Sequence, residues 1–341
     1  MLRVPVTVSF DALDTLIRIT HGIGFQYRSS YAAFLREHGV DLDASCPNAT
    51  CDVVARLALE AIHSQVRADR ANWTRSANPR EMPIGGDTDE ELRSFWTRVV
   101  RQVYRHPSLC AGAAADVVRR IEDVWATCHD DVRRLEDHVL FHQFASTSAY
   151  SWYPEGLHTL QRLRDWGHTQ SRRADTAPTP LVKAAEATAA SPVLVLAAPP
   201  FVVSNVDPRI GAVFAQLDAL ATRSHDAAPP LLSRVISARD VGYAKPSPLG
   251  ILAGVRDIAA AYRAACEVGT LAVEVRRHVH VGDAEADRMA CERAGCHYVQ
   301  CDPSTGATWG PLHAKLLEIE AACGAGTEPA ETAAAAAPSC S

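Results

Sequence analysis

Four short polar motifs in this sequence lie at, or just beyond, the carboxyl ends of successive predicted β-strands. The first is Phe-Asp-Ala-Leu-Asp-Thr-Leu at positions 10–16, in which Asp11 follows the β-branched run Val4 to Phe10. The second is the pair Ser204 and Asn205, which ends the apolar run 201–203. Open parallel sheets build their sites at the carboxyl ends of strands. Asp11 is therefore a candidate catalytic group, whereas Ser204 taken alone is better explained as a helix cap.

The other two motifs carry a lysine and a pair of carboxylates. Lys245 lies in Tyr-Ala-Lys-Pro-Ser-Pro, just before a predicted helix, and the two prolines make this more than an ordinary surface turn. Asp283 follows Gly282 at the end of the predicted strand 278–281, and Asp287 comes four residues later. That spacing brings both carboxylates to one side of a helix start, which suits a hard cation. A solvated lysine and a pair of capping carboxylates are the plainer alternatives.

The order of predicted elements indicates how these motifs are brought together. After Trp152, helices alternate with short apolar strands, a pattern typical of a mostly parallel sheet covered on both faces. The first strand has no other strand near it in sequence and must join this later sheet. The pattern from about 18 to 148 is helical, so that block is predicted as an insertion after the first strand.

We therefore expect an α/β core with an inserted all-helical domain. The predicted boundaries are 1–17 for the first strand and its polar loop, 18–150 for the helical domain and 151–323 for the rest of the core. A flexible insert is expected at about 171–191 and a disordered tail at 324–341, because both are rich in Ala, Thr and Pro. A long surface loop is expected at 72–89.

Composition excludes several classes of protein. The net charge is −6 and no long Lys/Arg cluster is present, which argues against a nucleic-acid surface or a polybasic membrane patch. The ten cysteines contain no CxxC unit, as expected for reduced thiols, and no apolar stretch is long enough to span a membrane. We expect a cytoplasmic protein whose partner is a small molecule, with the protein partner unknown.

Taken in order, the four motifs resemble those of the haloacid dehalogenase superfamily. More narrowly, four stretches look like the haloacid dehalogenase-like hydrolase domain-containing protein 3 subfamily: Ile17 to Tyr31, Trp96 to Tyr104, Ser204 to Asp207 and Lys245 to Pro248. The resemblance implies a Rossmann-like core with a helical cap and a central first strand. It also implies a Mg²⁺-dependent phosphohydrolase that acts on a small phosphorylated molecule.

The resemblance assigns a role to each motif residue. Asp11 would attack phosphorus and form an aspartyl-phosphate, while Ser204, Asn205 and Lys245 would bind the phosphoryl group and balance its charge. Mg²⁺ would be bound by Asp11, Asp283 and the backbone carbonyl of Leu13. Asp287 would support the metal from a second layer or through water.

The sequence departs from the family at position 13. The phosphatases place a second aspartate there, which protonates the leaving oxygen and then activates water, but Leu13 can do neither. Asp14 is a poor substitute, because adjacent residues on an extended segment point apart. Three hypotheses remain: a weak or leaving-group-selective phosphohydrolase, a binding or regulatory protein that retains the pocket, and a true dehalogenase. The metal-binding type of the Gly282-Asp283 motif argues against the third.

Overall fold

A computed structural model of the chain describes residues 2–73, 86, 88–176, 192–206, 208–222, 230–265 and 271–325. The strands are β1 (Leu2–Phe10), β2 (Ile17–Ile19), β3 (Tyr150–Trp152), β4 (Pro192–Leu196), β5 (Phe201–Ser204), β6 (Arg234–Ser237), β7 (His278–Gly282) and β8 (His297–Gln300). The helices are α1 (Gly22–Glu37), α2 (Leu42–Ser45), α3 (Cys51–Trp73), α4 (Asp89–Tyr104), α5 (Ala115–Thr127), α6 (His129–Asp137), α7 (Pro154–Thr176), α8 (Arg209–Thr222), α9 (Ala238–Val241), α10 (Leu249–Ala265), α11 (Glu285–Ala294) and α12 (Trp309–Gly324).

The core is a six-stranded sheet in which β1 is central, as predicted. The strand order is β6-β5-β1-β7-β8, and β4 also pairs with β1. All of these pairings are parallel. Because β1 is enclosed by neighbouring strands and helices, its residues from Val4 to Phe10 are all buried, which explains its almost continuous apolar sequence. The predicted α/β class is confirmed.

The helices α1 to α6 form the predicted helical block, which we call the cap. Its interior is a separate hydrophobic cluster that includes Tyr27, Leu35 and Val99. Phe144 packs against both this cluster and the cluster of the core, so the two units share an apolar contact.

The sequence pattern suggested that the inserted block is helical from end to end, but the structure has a short strand at each of its ends. The strands β2 and β3 form an antiparallel pair where the chain leaves the core and returns to it, with Ile17 opposite Trp152 and Ile19 opposite Tyr150. Each strand has only three residues, which is too short for a period of two to stand out in the sequence.

One further boundary differs from expectation, because α7 extends into the predicted insert. The helix α7 continues to Thr176, six residues into the predicted insert, and β4 begins at Pro192 directly after that insert. Thr88 caps α4, since its hydroxyl accepts from the Glu91 N–H while the Glu91 carboxylate accepts from the Thr88 N–H. The remainder of the predicted insert (177–191), most of the predicted loop (74–85 and 87) and nearly all of the predicted tail (326–341) lie outside the described residues. No helix in the described part of the chain is long and apolar enough to cross a membrane.

Candidate active site

The register of three adjacent strands brings the polar motifs to one edge of the sheet. Phe10 on β1 lies opposite Val202 on β5 and opposite Val281 on β7. Asp11 extends this pairing, because its N–H donates to the Val281 carbonyl at 2.8 Å. Ser204 and Asp283 lie two residues beyond these partners on their own segments. Asp11, Ser204 and Asp283 therefore all emerge at the carboxyl edge of the sheet.

Lys245 lies between two carboxylates at this edge. Its Nζ is 2.7 Å from Oδ1 of Asp11 and 2.5 Å from Oδ1 of Asp287. The side chains are 4%, 15% and 0% exposed respectively, so the charges are largely shielded from water and depend on one another. A buried ammonium group between two carboxylates is stable only because they compensate its charge.

The pKa values of this triad follow from its geometry. Burial by itself would lower the pKa of Lys245, but Asp11 and Asp287 outweigh it and the net shift is upward. Burial would raise the pKa of Asp287, but the hydrogen bond from His280 and the charge of Lys245 hold it well below its usual value. Burial raises the pKa of Asp11, and Lys245 offsets part of that effect. The charged forms of Lys245 and Asp287 therefore stabilise each other, whereas burial opposes the charged form of Asp11.

The loop that carries Lys245 is held by Asn205. The Asn205 Oδ1 accepts from the Lys245 N–H at 2.6 Å, and its Nδ2 donates to the Lys245 carbonyl at 3.1 Å. The Lys245 ammonium also donates to the Val203 carbonyl at 3.1 Å. Both ends of the Asn205 carboxamide are thus used to position the lysine. A phosphate contact from Asn205 stays a prediction, as does one from Ser204, whose buried hydroxyl accepts from the Val206 N–H at 3.2 Å.

Three carboxylates at the site could hold a hard cation. One oxygen from each of Asp11, Asp283 and Asp287 lies within 4.8 Å of the others. Oxygen donors of this kind are what Mg²⁺ prefers. Asp287 already accepts from Lys245, from His280 at 3.2 Å and from the Ala284 N–H at 3.2 Å. The donor set therefore fits a cation bound by Asp11 and Asp283, with Asp287 in support.

Thr15 links the first motif to the last. Its hydroxyl donates to Oδ1 of Asp283 at 3.2 Å and lies 3.4 Å from the Cys301 Sγ. Sequence reasoning gave Thr15 no role, although it belongs to the same seven-residue motif as Asp11. The contact fixes the orientation of Asp283 from the nucleophile side of the site.

The backbone at Asp14 differs from the expectation of an extended segment. Its φ is 57°, in the left-handed region, where the short polar side chain of aspartate is tolerated better than most. The Asp14 carboxylate accepts from the Tyr153 hydroxyl at 3.4 Å, and burial followed by the charge of Asp283 raises its pKa. Leu13 is half-buried and packs against the core. Both residues line the same cavity, and Asp14 does not have the extended backbone from which its side chain was expected to point away from that of Leu13.

A row of buried hydrogen bonds lies behind Asp287 in the middle of the sheet. His280 Nδ1 is 2.7 Å from the Ser9 Oγ, which is 2.8 Å from His278 Nε2, and His278 Nδ1 is 2.8 Å from the Thr7 Oγ1. Burial lowers the pKa of His278 well below its ordinary value, so this imidazole is neutral. The sequence contains a signal that could have predicted this row. Polar residues interrupt two mainly apolar strands at alternate positions, with Thr7 and Ser9 on one strand and His278 and His280 on its neighbour.

The cap and the core enclose a cavity of about 550 Å³ next to the nucleophile loop, which we call the cap–core cavity. Its walls are mainly aliphatic and aromatic, and Asp14, Arg18 and Arg209 are its charged lining residues. The Arg18 guanidinium lies 5.5 Å from the Tyr153 ring centre and that of Arg209 lies 5.3 Å from the Trp96 ring centre. A cavity of this size and lining is typical of a small-molecule site.

No family model matches this chain, and no curated protein matches it. Solved structures similar to it include a putative haloacid dehalogenase-like hydrolase from Bacteroides fragilis, at 13% identity over 91% of this chain and 93% of that one, with a TM-score of 0.36. A 2-haloacid dehalogenase from Pseudomonas syringae has 15% identity, 89% coverage of each chain and a TM-score of 0.39. A predicted phosphoglycolate phosphatase from Haemophilus somnus has 14% identity, coverage of 90% and 88%, and a TM-score of 0.38.

These solved structures bear names from the superfamily that the four motifs resemble. The narrower subfamily resemblance stays a prediction. Because these identities and TM-scores are low, the likeness does not indicate an activity for this chain. Its function has to be inferred from the residues of the site.

Proposed function

We propose that this protein is a haloacid dehalogenase-type, Mg²⁺-dependent phosphohydrolase that acts through Asp11 and is selective for good leaving groups. The observation that carries the proposal is the position of the Asp11 carboxylate. It lies at the carboxyl edge of the sheet, 2.7 Å from the Lys245 ammonium and within 4.8 Å of the Asp283 carboxylate. A carboxylate that is positioned beside a cation and a metal-type donor set is suited to attack a phosphoryl group.

Each residue of the site has a defined part in the proposed reaction. Asp11 attacks phosphorus, which splits one difficult hydrolysis into two easier steps. The Lys245 ammonium neutralises charge between the nucleophile and the phosphoryl group, and the Ser204 hydroxyl and nearby N–H groups bind phosphoryl oxygens. Mg²⁺ held by Asp11, Asp283 and the Leu13 carbonyl would reduce the repulsion between carboxylate and phosphate.

The missing carboxyl group at Leu13 sets the selectivity. General acid–base help is worth about 10²- to 10⁴-fold, and substrates whose leaving oxygen is stable as an anion lose least without it. Aryl and acyl phosphates belong to this class. The alternative function is a binding or regulatory protein without useful turnover, and the apolar side chain of Leu13 at the edge of the cavity is the observation that favours it.

Steady-state turnover on acetyl phosphate and phenyl phosphate tests the proposal, with and without Mg²⁺. We expect turnover that EDTA abolishes and Mg²⁺ restores. Asp11→Asn should remove it and leave the fold intact, since an amide is a poor nucleophile and a weaker Mg²⁺ ligand. Asp130→Asn makes the same chemical change at an exposed position of the cap and serves as the control. Wild-type protein that binds Mg²⁺ and phosphate without turnover would support the binding function instead.

A further inference from the structure

We infer that the cap–core cavity binds the aromatic body of an aryl phosphate monoester whose phosphoryl group occupies the Asp11 site. This inference rests on the function proposed above and narrows its substrate class. Two separate observations lead to it: the chemistry available at position 13 and the shape and lining of the cavity.

The cavity is bordered by residues that follow the reacting groups closely in the chain. Leu13 and Asp14 border it, and they follow Asp11 by two and three residues. Val206 also borders it and follows Ser204 by two residues. This space between the core and the cap is therefore the one into which we place the leaving group of a substrate whose phosphoryl group is at Asp11.

The lining selects against a polar leaving group. Aromatic side chains contribute from both units, with Tyr27, Trp96 and Phe144 from the cap and Tyr150 and Tyr153 from its junction with the core. Aliphatic side chains of Ile19, Ile23, Ile62 and Leu140 complete the apolar surface. A sugar would place most of its hydroxyl groups against aliphatic and aromatic walls, with Asp14, Arg18 and Arg209 as the charged lining residues, whereas one or two fused aromatic rings bury apolar area and pack against other rings.

The volume favours an aryl over a small acyl group. At about 550 Å³ the cavity lies within the range of about 300 to 1,000 Å³ that is typical of drug-sized ligands. An acetyl group would leave most of it unfilled. A bulky aromatic leaving group fills this space and can also leave without a general acid. The phenol of tyrosine has a pKa of about 10, whereas water has one of about 15.7, so a phenolic oxygen is much more stable as an anion than hydroxide.

The reaction balances without a proton from position 13. An Asp11 oxygen forms a bond to phosphorus while the bond from phosphorus to the aryl oxygen breaks, and the electron pair leaves with the aryl oxygen. The resulting aryloxide takes its proton from water. A second water then cleaves the aspartyl-phosphate, giving inorganic phosphate and the original Asp11 carboxylate.

The test compares four substrates with wild-type protein and Mg²⁺: acetyl, phenyl, 1-naphthyl and cyclohexyl phosphate. One methylene in an apolar pocket already changes kcat/KM about 10-fold or more, so 1-naphthyl phosphate should exceed phenyl phosphate by at least about 10-fold. Cyclohexyl phosphate should inhibit competitively and turn over at least about 100-fold more slowly than phenyl phosphate, because its leaving oxygen needs a proton.

Filling the cavity should remove the preference. Ile23→Trp places a large side chain in the cavity from α1 and should lower kcat/KM for 1-naphthyl phosphate at least about 10-fold more than it lowers kcat/KM for acetyl phosphate. Leu220→Trp makes a similar change on an exposed face of α8 and should alter neither. Ile62→Phe, on α3, is the second cavity variant if Ile23→Trp does not fold.

The outcomes distinguish failure of the proposed phosphohydrolase from failure of the proposed aryl pocket. If wild-type protein hydrolyses none of acetyl, phenyl and 1-naphthyl phosphate, the proposed function fails. If it hydrolyses any of them but shows no naphthyl preference, or if folded cavity variants keep that preference, the phosphohydrolase remains and the aryl pocket is wrong.

Discussion

Leu13→Asp restores a carboxyl group at the position where the proposed reaction lacks one. Leu13 is half-buried and lines the cap–core cavity, so the new side chain would border the space that we propose for the leaving group. General acid–base catalysis gives an expected gain of about 10- to 1,000-fold in turnover on alkyl phosphates, or about 1.4 to 4 kcal/mol of barrier. Aryl phosphates should gain less, because their leaving oxygen is already stable as an anion.

The same substitution has a cost in stability. Leu13 contributes to the apolar surface of the core, and transferring a carboxyl group there should lower the free energy of unfolding by about 1 to 3 kcal/mol. Leu13→Asn is the matched control, since asparagine has nearly the same shape and polarity as aspartate but cannot donate or accept a proton as an acid.

The assay is steady-state turnover of hexyl and phenyl phosphate, with urea unfolding of every variant. A gain confined to Leu13→Asp and larger on hexyl phosphate supports the reasoning. A folded Leu13→Asp variant with no gain on either substrate would refute it and favour the binding protein.

Three other perturbations test the site. Lys245→Met should lower the free energy of unfolding at pH 7 by about 3 to 5 kcal/mol, because Asp11 and Asp287 lose the cation that compensates their charge. Urea titrations measure this loss, and a value below about 1 kcal/mol would contradict the expectation. Gly282→Ala should lower the free energy of unfolding by about 1 to 3 kcal/mol and reduce turnover, since the new Cβ would lie 2.5 Å from the Asp287 Cγ. The control is Gly211→Ala in α8, whose Cβ would meet nothing within 4 Å and which should be neutral or stabilising. His278 has a depressed pKa, so below about pH 6.5 the unfolded chain binds a proton that the folded chain does not, and stability should fall with decreasing pH by up to about 1.4 kcal/mol per unit. His278→Gln should make that slope shallower in urea titrations between pH 5 and 7, and an unchanged slope would show that His278 is protonated in the folded state.

The sequence predicted the elements that have strong periodicity or a chemical motif at their end. The buried strand β1, the strand β7 before Gly282-Asp283 and the long helices of the cap were predicted because each has a clear apolar pattern. The strands β2 and β3 were missed because three residues cannot show a period. The left-handed backbone at Asp14 depends on the turn that its N–H closes with the Ile17 carbonyl, which spacing alone does not reveal.

The candidate site was predicted at the level of motifs but not of contacts. Asp11, Lys245 and Asp287 were each recognised, yet the placement of one ammonium group between two carboxylates depends on the tertiary fold. The double hydrogen bond of Asn205 to the Lys245 backbone also joins residues 40 apart in sequence. Such pairings are set by the register of the sheet and have no local sequence signal.

The buried row from Thr7 to Asp287 has a direction. In the tautomer in which each imidazole carries its proton on Nε2, the Thr7 hydroxyl donates to His278, His278 to Ser9, Ser9 to His280 and His280 to the Asp287 carboxylate. The aligned bonds therefore act as a dipole whose positive end faces the Asp287 carboxylate, and each bond polarises the next. A hydroxyl in the middle of the sheet thus contributes to the electrostatic potential at the carboxyl edge, and removing the Ser9 hydroxyl would divide the dipole without touching any residue that contacts a substrate.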